Sequence, residues 1–198
     1  MRILLIKTSS MGDLIHTLPA LTDARAHYPN LTVDWVVEES FVDIPKWHPA
    51  VNRVIPVALR RLRKKLFSLR TLQEWLAMRR LLREQEYDVV LDAQGLVKSA
   101  VLTFMARGKR IGLDRQSARE GLASFAYQKQ CTVNFYQHAI HRMRTLFSQA
   151  LNYPMPTSAP DFGLQQLLKP AASEPYLVFL HGTTWASKEW PEEYWLAL

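Results

Sequence analysis

Read for its pattern of apolar and polar positions, the chain begins with a nearly unbroken apolar run, Arg2 to Ile6, as a strand buried on both faces should. The run breaks at Lys7 into a polar loop, Thr8-Ser9-Ser10-Met11-Gly12-Asp13, and a helical pattern follows from Leu14. Pro19 falls inside that pattern, so either the helix kinks there or its regular part starts near Thr17 or Leu18. Thr32 to Val37 alternates Val33, Trp35 and Val37 and predicts a second strand, with Glu38 and Glu39 at its carboxyl end. Val54 to Val57 predicts a short third strand, and Pro56 suits it to an edge or an early end. Leu69 to Glu86 carries Leu69, Leu72, Trp75, Leu76, Leu81 and Leu82 at helical spacing. Tyr87 to Leu91 predicts a buried strand ending at Asp92, Ala93-Gln94-Gly95 a turn, and Leu96 to Met105 a helix. A short strand over 110–113 and helices over 118–128 and 138–151 follow.

This alternation predicts an α/β fold, a Rossmann-like and mostly parallel sheet with flanking helices. In such sheets ligands lie outside the carboxyl ends of the strands, which places Ser9, Ser10, Gly12 and Asp13 at a ligand crevice. The pattern changes at residue 153. Prolines at 154, 156, 160 and 170 and weak periodicity mark a connection over 153–174 between a first domain, 1–152, and a new start at 175–198. There a strand is expected over 176–180, then the loop His181-Gly182-Thr183-Thr184, then a helix opened by Pro191. That is the first β-α piece of a second domain.

Charge narrows the partners. Of 198 residues, 25 are Lys or Arg and 18 Asp or Glu, a formal net charge of +7 that favours anionic ligands: phosphates, an acidic membrane face or nucleic acid. The single cysteine, Cys131, excludes an internal disulfide and suits a reducing compartment. Ile3 to Ile6 is too short for a signal-peptide core, and no apolar run approaches the length of a spanning helix. The expectation is a cytoplasmic protein whose membrane contact is peripheral.

The loop after the first strand has one glycine, and neither GxGxxG nor GxxxxGK[ST] occurs, so a standard dinucleotide or P-loop site is not expected. Asp13 has two readings: an N-cap, or a general base facing the crevice. Arg60-Arg61-Leu62-Arg63-Lys64-Lys65 sets five positive charges in six residues with no acid beside them in sequence. It reads as a solvated face or as an anion site near the carboxyl ends of the strands. Lys98 opposes the macrodipole at a helix start, which suits either solvent or an anion in the crevice. His138 and His141 lack the partners of a metal site.

The run KTSSMGDLIHTLPAL resembles the N-terminal signature of the lipopolysaccharide heptosyltransferase I family, glycosyltransferases of the two-domain GT-B fold. The likeness continues through DWVVEESF (34–41), RVIPVALRR (53–61), DAQGLVKSA (92–100), the Ala-Arg-Glu step at 118–120 and WPEEYW (190–195). It implies that residues 1–152 are the acceptor-binding half and that a heptose passes from ADP-heptose to a Kdo hydroxyl of Kdo-lipid A, with inversion. It implies Asp13 as base and an acceptor site of Ser9, Ser10, Gly12, Arg60, Arg61, Arg63, Lys64, Lys98, Arg119 and Arg142. Arginine forks suit carboxylate and phosphate better than lysine does. Thr183, Thr184 and Lys188 would hold the donor diphosphate, without metal or other cofactor.

The family's later Asp-Ser/Thr-Gly-x-x-His motif is absent, so the chain is expected to stop within the donor half and to transfer little heptose by itself. Two rival readings are a non-catalytic module for anionic glycolipid and a basic nucleic-acid-binding domain. No RRM, KH or zinc-finger pattern supports the latter, and nucleic acid is not expected as a partner.

Overall fold

A computed structural model describes residues 1–62, 69–165, 167, 177–179, 182 and 186–198, and the side chains of all of these except residues 60, 62, 69 and 70. Contacts divide the chain into two compact units, Met1–Leu167 and Leu168–Leu198. The first is built on six strands: β1 (Arg2–Ile6), β2 (Thr32–Glu38), β3 (Val51–Val57), β4 (Tyr87–Asp92), β5 (Gly108–Leu113) and β6 (Lys129–Cys131). Every neighbouring pair is parallel, in the order β3-β2-β1-β4-β5-β6. The helices are α1 (Met11–Ile15), α2 (Leu18–His27), α3 (Asp43–Lys46), α4 (Leu59–Leu62), α5 (Leu69–Leu82), α6 (Val97–Met105) and α7 (Ala139–Leu151), with α8 (Glu192–Leu196) in the second unit.

Strand periodicity sorts side chains onto two cores. Ile3, Leu5, Val33, Trp35, Leu91 and Ile111 face one way and pack with Leu18, Leu21, Leu146 and Phe147 of α2 and α7. Leu4, Ile6, Val36, Ile55 and Val90 face the other way and meet Leu82 of α5 and Leu102 of α6. Both faces being covered explains why β1 reads as an unbroken apolar run. The order reverses between β1 and β4: from β1 the chain builds outward to β3, then returns to start β4 on its other side. That is the topological switch point at which a crevice opens in such sheets.

Pro19 is accommodated by a break. Thr17 precedes α2 and Pro19 sits in its first turn, where a missing N–H costs nothing. Pro56 lies in β3, at the sheet edge. Two elements differ from expectation. The helix expected over 118–128 is a short 3-10 segment, Gly121–Ala126, followed by β6. Three polar-flanked residues suffice there because β6 pairs only with β5, through Ile111↔Lys129 to Leu113↔Cys131. The expected connection also begins later than residue 153: Tyr153 is buried, and Phe162 and Leu164 pack on the first core.

In the second unit a 3-10 turn, Ala186–Lys188, precedes α8, and Trp190 meets Trp195 edge to face at 4.6 Å. Residues 177–179 are irregular, and the rest of the expected strand lies outside the described residues.

Arg144 is no surface arginine. Its guanidinium is buried and forked onto Asp23, Nε at 2.6 Å and Nη2 at 3.1 Å, with Nη1 donating to the Ser158 carbonyl at 2.8 Å. This ties α7 to α2 and to the segment that leaves α7. Arg144→Ala should lower unfolding stability by about 3–5 kcal/mol, because it strands a buried carboxylate. Chemical denaturation checks this, and the double variant with Asp23→Ala should lose less than the two singles summed.

Candidate active site

At the switch point the loops after β1 and β4 are bound to each other. Lys7 Nζ is buried and donates to the Ala93 carbonyl at 2.9 Å. Gln94 Oε1 accepts from the Thr8 and Ser9 amides at 3.1 and 3.3 Å. The Gln94 turn is in turn held by Asp92, which is fully buried. Its Oδ1 accepts from the Gln94 and Gly95 amides at 2.8 and 3.1 Å, and its Oδ2 from the Tyr127 hydroxyl at 2.8 Å. Burial pushes the Asp92 carboxyl up, against the pull of those donors. Gly112 makes the arrangement possible: a Cβ there would lie 2.5 Å from the Tyr127 ring.

Asp13 sits above this platform. It is not the N-cap of α1; Ser10 is. Asp13 is the third helical residue, and its Oδ2 accepts from the Ser10 amide at 2.9 Å and the Ser10 hydroxyl at 3.0 Å. That leaves Oδ1 without a hydrogen bond among the described residues. Asp13, Lys7, Ser10, Gln94, Arg119, Phe135 and Arg142 line one cavity of about 280 Å³. Burial alone would raise the Asp13 carboxyl. The Ser10 hydrogen bonds and the charges of Lys7 and Arg119 outweigh it and hold the group below the ordinary carboxylate range. Lys7 is shifted down, chiefly by burial, with Asp13 and Asp92 opposing.

Two arginines reach the cavity from distant stretches. Arg142, on the first turn of α7, lies 4.7 Å over the Phe135 ring and donates from Nη2 to the Ser117 carbonyl at 3.0 Å. Its Nε is buried with no hydrogen-bond partner among the described residues. Burial and then Arg119 push its ionisation down. Arg119 is exposed and has no hydrogen-bond or ion-pair partner among the described residues. Two cations without carboxylate partners among the described residues, beside one ionised carboxylate, make a pocket suited to an anion that also carries a hydroxyl.

The other candidates scatter. Ser9 uses its amide on Gln94. Gly12 has open space where a Cβ would stand, so neither packing nor a positive φ demands it. Lys98 is exposed on α6 and does not line the cavity. Arg61 has acids close by after all: Glu39 at 3.7 Å and Glu74 at 3.8 Å. Glu39 comes from the end of β2 and Glu74 from α5, so the run is solitary in sequence but not in space. The side chains of Arg60, Arg63, Lys64, Thr183 and Thr184 lie outside the described residues. Lys188 is exposed in the second unit. His138 caps α7, its Nδ1 accepting from the Ile140 amide at 3.3 Å, and no group of three or more His, Cys, Asp or Glu among the described residues could hold a metal.

Sequence reasoning missed Lys7 and Gln94. Lys7 appeared only as the residue that ends an apolar strand, yet a charge at the carboxyl end of a buried parallel strand is itself a site signal. Because the folded pKa of Asp13 lies below its unfolded one, its ionisation stabilises the fold at neutral pH. That contribution is lost as the pH falls through the folded value. Carboxyl NMR titration should show Asp13 titrating below about 3.9, the unperturbed value. Lys7→Met should move it upward, and an unchanged midpoint would show that Lys7 exerts no field there.

Residues 75–198 match the family model for glycosyltransferase family 9 (heptosyltransferase). The whole chain aligns at 56% identity with 57% of lipopolysaccharide heptosyltransferase 1 of Pseudomonas aeruginosa, and at 50% identity with 63% of the Escherichia coli K12 protein of that name. It thus spans about three fifths of those relatives' length. Among solved structures, E. coli heptosyltransferase WaaC with ADP-2-deoxy-2-fluoro heptose superposes with a TM-score of 0.94 at 51% identity, over 98% of this chain and 63% of that one. E. coli ADP-heptose lps heptosyltransferase II shares the fold alone, with a TM-score of 0.57 at 20% identity. The chain belongs to glycosyltransferase family 9, the heptosyltransferases.

Proposed function

We propose that this protein transfers L-glycero-D-manno-heptose from ADP-heptose to a Kdo hydroxyl of Kdo-lipid A, with inversion, in lipopolysaccharide inner-core synthesis. The observation that carries the reading is the cavity at the β1/β4 switch point, where the ionised Asp13 carboxylate stands beside Arg119 and Arg142. The arginines take the acceptor's carboxylate and phosphate, and Asp13 Oδ1 takes the hydroxyl proton. Ser10 aims the carboxylate through Oδ2, and Lys7 keeps it charged. Relatives carrying heptosyltransferase names, one solved with an ADP-heptose analogue, support the donor.

Inversion by direct displacement needs one base on the face opposite the leaving group. A carboxylate with a depressed pKa is a weak base. The hydroxyl therefore loses its proton late, as the glycosidic bond breaks and the attacking oxygen turns acidic. The leaving ADP is already stable as an anion, so cations suffice to stabilise it. Lys188, Thr183 and Thr184 are the proposed donor-side contacts, with no metal required by this chemistry. Arg60, Arg61, Arg63, Lys64 and Lys98 extend the acceptor surface. No helix among the described residues is long and apolar enough to cross a membrane, and the proposed setting is the cytoplasmic face of the inner membrane, reached peripherally.

Asp13→Asn keeps the size of the side chain and its bond to Ser10 but cannot accept the proton. Measured on the protein as the cell makes it, with ADP-heptose and Kdo-lipid A, turnover should fall by about 10²–10⁴-fold while acceptor affinity changes little. Full turnover with a lowered melting temperature would make Asp13 a capping residue only. Acceptor binding with no transfer by the unaltered protein would favour the glycolipid-binding module.

A further inference from the structure

We propose that α6 and the 121–126 segment form a docking face for an anionic lipid bilayer. The two elements lie side by side: Ala100 of α6 packs against Ala123 of the segment and against Tyr127, which follows it. Their large apolar residues are turned outward. Val101 and Phe104 lie three apart on one side of α6, and Leu122 and Phe125 lie three apart on the 3-10 segment. Phe104 is 66% exposed, Leu122 69% and Phe125 77%, although neighbouring Leu102 is fully buried. Single exposed apolar residues are ordinary, but a cluster of this kind marks an interaction surface.

Arg110 joins the two halves of the face. Its guanidinium lies 5.2 Å from the Phe104 ring centroid, and its Nε donates to the Ala126 carbonyl at 2.8 Å. The rim is cationic. Lys98 and Arg107, at the two ends of α6, are exposed there. Arg107 also lines a groove of about 480 Å³ with Arg79 and Arg80 of α5 and with Arg83 and Glu84 just beyond it. Of the acids nearby, Glu120 accepts from the Val97 amide at 2.7 Å, Asp114 accepts from the Ser117 amide and the Thr132 hydroxyl at 2.8 and 2.6 Å, and Glu84 pairs with Arg53 at 3.0 Å, so cations remain in excess around the face. The occupant must therefore be apolar at its centre and anionic around it. A bilayer of anionic lipids meets both conditions, with the phenyl rings at the acyl boundary and the cations among the phosphates. A second copy of this chain would bring the same positive rim and be repelled.

This deepens the peripheral membrane setting proposed above by naming the face that makes the contact, and it is independent of the transfer chemistry, so the test uses vesicles without any sugar acceptor. The full chain should co-sediment with phosphatidylglycerol vesicles, bind phosphatidylcholine vesicles much less, and lose binding as salt rises. F104S/F125S, at two exposed positions, should keep the melting temperature and lower the partition coefficient by about tenfold or more. R107E, also at an exposed position, should weaken binding to phosphatidylglycerol alone. The second unit exposes Leu177, Trp190 and Leu196 as well, so lipid binding that survives both variants overturns the proposal. A lipid-free dimer in sedimentation velocity that F104S/F125S dissociates also overturns it, making the face a self-association interface.

Discussion

The site hangs on one buried carboxylate. Asp92, at the end of β4 and without solvent access, must spend all its hydrogen-bonding capacity inside the protein, because an unpartnered charge there would be prohibitively unstable. It does so by fastening the Gln94–Gly95 turn with one oxygen and Tyr127 with the other. The turn then presents the Ala93 carbonyl to Lys7 and the Gln94 amide oxygen to the Thr8 and Ser9 amides. Two loops that each follow a separate parallel strand thus become one platform. The Tyr127 ring reaches Asp92 only because residue 112 has no side chain. Four positions far apart in sequence, 7, 92, 112 and 127, meet at a single constraint.

The electrostatics of the cavity follow from that platform. A lysine buried at 7 and hydrogen-bonded to a carbonyl contributes a positive field without occupying the crevice. Asp13, fixed by Ser10 through one oxygen, keeps the other for a ligand and stays ionised. Arg142 is stacked on Phe135, so its fork is held with an unused Nε. In the proposed transfer, preorganisation of this sort would let a weak base act, since the proton it receives would come from an oxygen already losing its electrons to a new bond. Oriented charge at a sheet's switch point is what the fold contributes, and the hydroxyl chemistry is set by which residues line the crevice.

Strand-level structure was legible because parallel strands buried on both faces cannot hide: Arg2–Ile6 and Tyr87–Leu91 announce themselves by composition, and the parallel fold follows from their alternation with helices. β6 was not legible. Its three residues follow a 3-10 segment whose apolar positions mimic a helix, and only pairing with β5 defines it. That Asp13 lines the crevice was legible through its loop, but its partner was not. The sequence suggested a cap, whereas Ser10 is the cap and Asp13 the reciprocal member of the box. Arg119 and Arg142 came from resemblance alone, since nothing in their local pattern reveals that tertiary packing brings them to the end of β1. Arg144, two residues further on, carries the same local signal and instead closes a buried pair with Asp23. Lys7 and Gln94 were read as punctuation between elements because their role depends on contacts across more than eighty residues.

The proposed transfer requires the crevice between β1 and β4 to hold the acceptor against Asp13. A crystal structure of the protein with a soluble Kdo-containing acceptor tests it most directly. The account predicts an acceptor hydroxyl at hydrogen-bond distance from Asp13 Oδ1, about 2.6–3.2 Å, with an acceptor carboxylate or phosphate on Arg119 and Arg142. An acceptor bound elsewhere on the first unit, with Asp13 still turned to Ser10 alone, would contradict it.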